Sequence, residues 1–86
     1  MIRYRLYTED KGIDSLASLV SEHFDGFTIV KSLGYWKGQP EESLIIEIIG
    51  DESDEKTIKY IAKRIKKLNA QEAVYLTKDT IDGYLV

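Results

Sequence analysis

With 86 residues, 43% of them hydrophobic and 31% charged, the chain holds one domain, residues 1–86, and only a thin core. It has no cysteine, which excludes disulfides and thiolate chemistry and fits a cytoplasmic setting. A net charge of −3 argues against nonspecific binding to nucleic acid or anionic membranes. No run approaches the roughly 18 apolar residues of a membrane span, and Met1-Ile2-Arg3-Tyr4-Arg5 has no apolar signal-peptide core.

Met1 to Thr8 alternates, with Ile2, Tyr4 and Leu6 on one side and Arg3, Arg5 and Tyr7 on the other, so it reads as a strand buried on one face. Glu9 to Gly12 is a polar connector. Ile13, Leu16, Ala17, Val20 and Phe24 follow helical spacing, with Asp14 and Ser15 in the first turn and Gly26 as the expected stop. A second strand is expected from Phe27 to Leu33 or Gly34, and a third from about Ser43 to Ile49. The link between them, to Glu42, carries two glycines and the only proline and reads as a hairpin loop.

Asp51 to Glu55 opens a second helix, with Ser53 or Asp54 as N-cap, an apolar stripe of Ile58, Ile61, Ala62, Ile65 and Leu68, and Asn69 as C-cap. Ala73 to Thr77 is a short last strand, and residues 78–86 read as a C-terminal tail. The order strand, helix, strand, strand, helix, strand predicts an α+β, ferredoxin-like βαββαβ sandwich. Its four-stranded antiparallel sheet has the order 4-1-3-2, with two helices on one face. The other face stays open and carries Arg3, Arg5, Tyr7, Ile45, Glu47 and Ile49, where the arginines are expected to pair with Glu47 across the ladder. Apolar residues beside ion pairs on such a face suit a homomeric contact.

The stretch Gly34-Tyr35-Trp36-Lys37-Gly38 places the only tryptophan in a turn. It serves either as an aromatic anchor for a partner or ligand, or as a cover over the edge of the core. The lysines and Arg64 of the second helix read as a solvated face, and the third strand lacks the aromatic and basic residues of an RNA-recognition strand. His23 lies near the end of the first helix without a nucleophile motif beside it. No metal-ligand spacing, P-loop or dinucleotide motif is present, so no metal or cofactor is expected. Glu41, Glu42, Glu47 and Glu72, with Gln71, offer polar groups for acid–base work, though no catalytic residue can be assigned from spacing.

The stretches Gly34-Tyr35-Trp36-Lys37-Gly38, Glu41 to Ile48 and Gln71-Glu72-Ala73-Val74 together resemble a family of short uncharacterised proteins scattered through phages and microbes. That resemblance covers about residues 24 to 76 and implies an origin in a virus or mobile element, without transferring any activity. The topology is also similar to ACT and PII-like regulatory domains. Of the ACT-type turn only Asp10-Lys11-Gly12 is present, and the PII-like nucleotide loops are missing, so no ligand carries over. The resulting expectation is a non-enzymatic binding or regulatory module that forms a dimer. Tyr35, Trp36, Gly38, Glu42 and Gln71 are its candidate binding residues. The alternatives are a small dimeric α/β-barrel enzyme with a cavity on the open face, or a phage-derived inhibitor of a host protein.

Overall fold

The computed structural model describes residues 1–86. The elements run β1 (Ile2–Glu9), α1 (Ile13–Ser21), β2 (Thr28–Trp36), β3 (Gln39–Gly50), a single 3-10 turn (Glu52–Asp54), α2 (Glu55–Leu68) and β4 (Tyr75–Thr80). All strand pairs are antiparallel in the order β2-β3-β1-β4, the expected ferredoxin-like arrangement read from the other edge. No helix is long and apolar enough to cross a membrane.

The core follows from the period-two pattern. Tyr4, Leu6 and Thr8 of β1 and Leu44, Ile46 and Ile48 of β3 turn to the helices and are buried. Leu16, Leu19 and Val20 of α1 and Ile58, Ile61 and Ile65 of α2 meet them. Each such aliphatic side chain contributes about 1.5–3 kcal/mol by leaving water. Leu68 has the spacing of the α2 stripe but is exposed, because it falls on the last turn, past the sheet residues that cover the others.

Several boundaries differ from the sequence expectation, each for a local reason. Helix α1 ends at Ser21 rather than Gly26, and Gly12 takes the N-cap position with no side-chain cap. Phe24 still packs against the core from beyond the helix, which is why it matched helical spacing. Asp54 is the N-cap of α2, one of the two expected, but without a side-chain cap bond; the capping box belongs to the 3-10 turn before it, where the Asp51 carboxylate accepts from the Ser53 amide at 2.9 Å and Asp54 Oδ2 accepts from the Asp51 amide at 3.0 Å. Gly50 permits this fold-back, since a β-carbon there would collide with Asp54 Oδ2. Strand β4 starts at Tyr75 and reaches Thr80 instead of ending at Thr77. Its polar half stays in register because Arg3 Nη2 grips Asp79 Oδ2 at 2.7 Å and Lys78 pairs with Glu55.

The loop after α2 is held unusually firmly. Ala70 and Gln71 amides donate to the Lys67 and Lys66 carbonyls at 3.3 and 3.0 Å, which is a Schellman C-cap. Asn69, the expected C-cap, is buried, and its Nδ2 donates to Gln71 Oε1 at 2.9 Å and Thr8 Oγ1 at 3.2 Å. Gln71 Oε1 also accepts from the Thr8 hydroxyl and from the Glu9 amide at 3.3 Å, and Lys11 Nζ donates to the Asn69 carbonyl at 2.9 Å. The end of β1 and the α2–β4 loop therefore move as one piece.

Two predictions concern this frame. Ala70 has φ of 50°, a left-handed conformation that costs an alanine roughly 1–2 kcal/mol. Ala70→Gly removes that strain at a smaller cost in unfolded-chain entropy, so denaturant melting should show about 0.5–1 kcal/mol of added stability. The second concerns acid. Lys78 and Lys59 hold the Glu55 carboxyl below the usual glutamate range, so their contribution is complete above the unfolded-chain value of about 4.3 and is lost as pH falls through the lowered folded value. The melting midpoint should drop across that acid window in the native chain and drop less in Glu55→Gln.

Candidate functional site

Strand β3 outruns β1. The paired residues end at Glu9 opposite Ser43, the Asp10 amide adds one more bond to the Glu42 carbonyl at 3.0 Å, and residues 39–41 are left paired only with β2. The overhanging β2–β3 hairpin closes through a two-residue turn in which Lys37 and Gly38 have φ of 51° and 78°, the type I′ geometry that matches strand twist. The expected long loop is thus strand almost to its tip. Pro40 is tolerated within β3 because it lies in the overhang, where β1 supplies no acceptor for an amide.

Although β2 and β4 are opposite edges of the sheet, the hairpin curls across the sheet end far enough for Lys37 Nζ to reach Glu72 Oε2 at 3.3 Å. A cleft of about 640 Å³ opens beneath it on the helix-free side. Its floor is Tyr7, Glu9, Ser43, Tyr75 and Thr77, one wall is Gly34, Tyr35, Trp36 and Glu41, and the other is Ala70 to Ala73. Tyr7 and Tyr75 face one another across the β1–β4 ladder as an edge-to-face pair with centroids 6.4 Å apart. Gly34 lies opposite Glu41, and a β-carbon there would sit 3.2 Å from Ser43 Oγ, within the cleft's own lining.

Glu9 and Glu41 are diagonal neighbours on this face, two residues apart along the ladder. Partial burial and the adjacent Glu9 carboxylate raise the Glu41 carboxyl above its ordinary value. Glu9 itself is paired with Lys11 Nζ at 3.1 Å. No set of three or more His, Cys, Asp or Glu side chains is arranged to hold a metal ion.

The residues singled out by sequence divide around this cleft. Tyr35, Trp36 and Gln71 line it, whereas Gly38 sits at the turn tip and Glu42 pairs with Leu33 on the helix side of the ladder. The amide of Gln71 is taken up by its own chain, with Nε2 donating to the Ala73 carbonyl at 3.0 Å. Trp36 is 49% exposed and outside the core cluster, with Lys37 Nζ 5.8 Å from its ring centroid. Arg3, Arg5, Tyr7, Ile45, Glu47 and Ile49 share the open face. There Arg5 Nε donates to Glu47 Oε2 at 2.9 Å, but Arg3 turns to Asp79 on β4 instead of to Glu47, because β4 extends beyond its expected end. His23 lies beyond α1, edge-on to Tyr60 and away from the cleft. Sequence reasoning missed Glu9, Tyr75 and Thr77. Glu9 had the period-two spacing of Arg5 and Tyr7, a signal hidden by its position at the start of a polar connector.

No protein-family model matches the chain, and among curated proteins no significant match was found. Solved structures do share its fold. A DUF3240-family protein from Shewanella baltica OS155 superposes with a TM-score of 0.78 at 15% identity, covering 99% of this chain and 96% of that one. A phage SAM lyase in its apo state gives 0.74 at 15% identity over 91% and 78% of the two chains. CPII, a nitrogen regulatory PII-like protein from Thiomonas intermedia K12 bound to ADP, AMP and bicarbonate, gives 0.69 at 13% identity over 98% and 94%. At such identities the likeness carries the fold alone, and that fold is ferredoxin-like.

Proposed function

We propose that the chain is a small non-enzymatic binding module of regulatory type, which receives a small ligand in the cleft under the β2–β3 hairpin and associates with a second copy through its open sheet face. The observation that carries the reading is the cleft itself. Its volume lies in the range of small-molecule sites, and it combines aromatic walls with a few polar groups. Both walls are pre-positioned, one by the type I′ turn and the other by the Asn69–Gln71 network. Preorganisation of this kind lowers the cost of binding. A fold shared with a PII-like protein described with bound nucleotides and bicarbonate supports the regulatory part.

Self-association is supported by the uncovered apolar residues Val30, Ile45 and Ile49, set among cationic groups already neutralised by Glu47 and Asp79. Paired charges cost less to desolvate than free ones, so a second copy can close over this surface. The partners expected are therefore another copy and a small ligand, in a cytoplasmic protein of phage or mobile-element origin. The phage enzyme of the same fold is consistent with that origin.

Glu41 favours a second reading, that of an enzyme. A carboxyl raised by its surroundings within an aromatic cleft is suited to proton transfer. Incubation with SAM, the substrate named for the phage lyase, separates the two. Turnover that disappears in Glu41→Gln establishes the enzyme, and unchanged SAM at high protein concentration leaves the module.

Sedimentation at micromolar concentration should give a dimer, and Ile45→Asp should dissociate it while melting stays cooperative. A clean monomer in the native chain refutes the contact. Trp36→Ala should lower the unfolding free energy from denaturant melting by no more than about 1 kcal/mol, far below the roughly 3–5 kcal/mol of a buried aromatic truncation, since the indole covers no core residue. The same variant should lose ligand binding.

A further inference from the structure

The cleft also has a sign. Of the chain's 12 lysines and arginines none lines it, whereas Glu9, Glu41 and Glu72 do. Two of those carboxylates already have partners, Glu9 with Lys11 and Glu72 with Lys37, both placed at the rim. Glu41 has no cation in contact and stands diagonally across from Glu9, and Lys11, held on Glu9, offsets only part of the effect of burial and of the neighbouring carboxylate on Glu41. Four of the other lining residues are aromatic: Tyr7, Tyr35, Trp36 and Tyr75. Tyr7 and Tyr75 form the floor and Trp36 the wall, and the electron-rich faces of such rings attract cations. Lys37 already uses this chemistry at the rim, with its ammonium near the Trp36 ring and in contact with Glu72.

From this we infer that the cleft binds an organic cation, its onium group held between the Tyr7, Tyr75 and Trp36 rings and the Glu41 carboxylate. The inference rests on the reading of the cleft as a ligand site and adds the ligand's chemical class. It also sets this chain apart from the phosphate ligands described for CPII, because a nucleotide's phosphates would enter a site with three carboxylates and no lining cation. Desolvating a fully substituted ammonium costs less than desolvating a primary ammonium, and attraction to the faces of Tyr7, Tyr75 and Trp36 needs no hydrogen bond from it. A quaternary group is therefore preferred.

The test compares two probes of equal shape, choline and its neutral carbon isostere 3,3-dimethylbutan-1-ol, with AMP as an anionic control. Binding is followed by Trp36 fluorescence and amide chemical shifts in about 0.15 M salt. The expected result is choline binding about tenfold tighter than the alcohol, with shifts confined to Tyr7, Gly34, Trp36, Glu41 and Tyr75. Glu41→Gln should weaken choline about fivefold or more and leave the alcohol unchanged, while Glu22→Gln, an exposed charge change outside the cleft, should alter neither. Equal binding of choline and alcohol overturns the inference and leaves the cleft a ligand site without charge preference. Binding of AMP but not choline overturns it equally. Absence of binding by all three probes refutes both the inference and the cleft as a small-molecule site.

Discussion

The constraint on which the rest of the structure depends is the mismatch in length between the two central strands. Strand β3 has 12 residues and β1 has eight, and they are in register at the β3 C-terminal end. The excess therefore projects entirely beyond the other end of the sheet. A two-stranded ribbon without a third strand twists more freely than the sheet it leaves. Here that freedom lets the hairpin cross the sheet end until Lys37 meets Glu72 near the opposite edge. Had β1 continued past Glu9, the hairpin would lie flat and there would be no cleft.

The opposite wall needs a different device, because a helix-to-strand loop has no ladder to define it. The side chain of Gln71 supplies one. Its carbonyl oxygen gathers donors from Thr8, Glu9 and Asn69, and its amide donates to Ala73. No buried side-chain polar atom lacks a partner, so the network is fully satisfied and rigid. The alanine at φ of 50° in the C-cap is the one local strain accepted to bring that loop into place. One wall is set by strand length and turn type, the other by a buried polar network, and the site lies where they converge.

The two sheet faces divide the labour. The helix side carries the apolar cluster that stabilises the fold. The helix-free side mixes ion pairs, tyrosines and isoleucines, and at its hairpin end these become a cleft with carboxylates and aromatic rings but no lining cation. Core and open-face residues thus alternate along the same strands, so a change at Tyr7 or Ile45 alters the open face without passing through the core.

What the sequence by itself determined was periodicity. Alternation in β1 and β3, and the helical stripes from Ile13 and Ile58, were enough to place six elements, the sheet order and the residues of each face, because burial enforces a period of two or 3.6 wherever one side meets a core. The Trp36 turn was legible for the same kind of reason, since glycine and proline mark local backbone geometry. What only the tertiary structure decided was convergence. Glu9 and Glu41 lie far apart in sequence, and Tyr75 and Trp36 belong to strands at opposite edges of the sheet. Nothing in a local pattern reports that an overhanging hairpin will curl, or that Gln71 will spend its amide on Thr8 and Asn69 rather than on a ligand. Those outcomes depend on strand lengths and side-chain reach compared across the whole sheet, which exist only once the chain has folded.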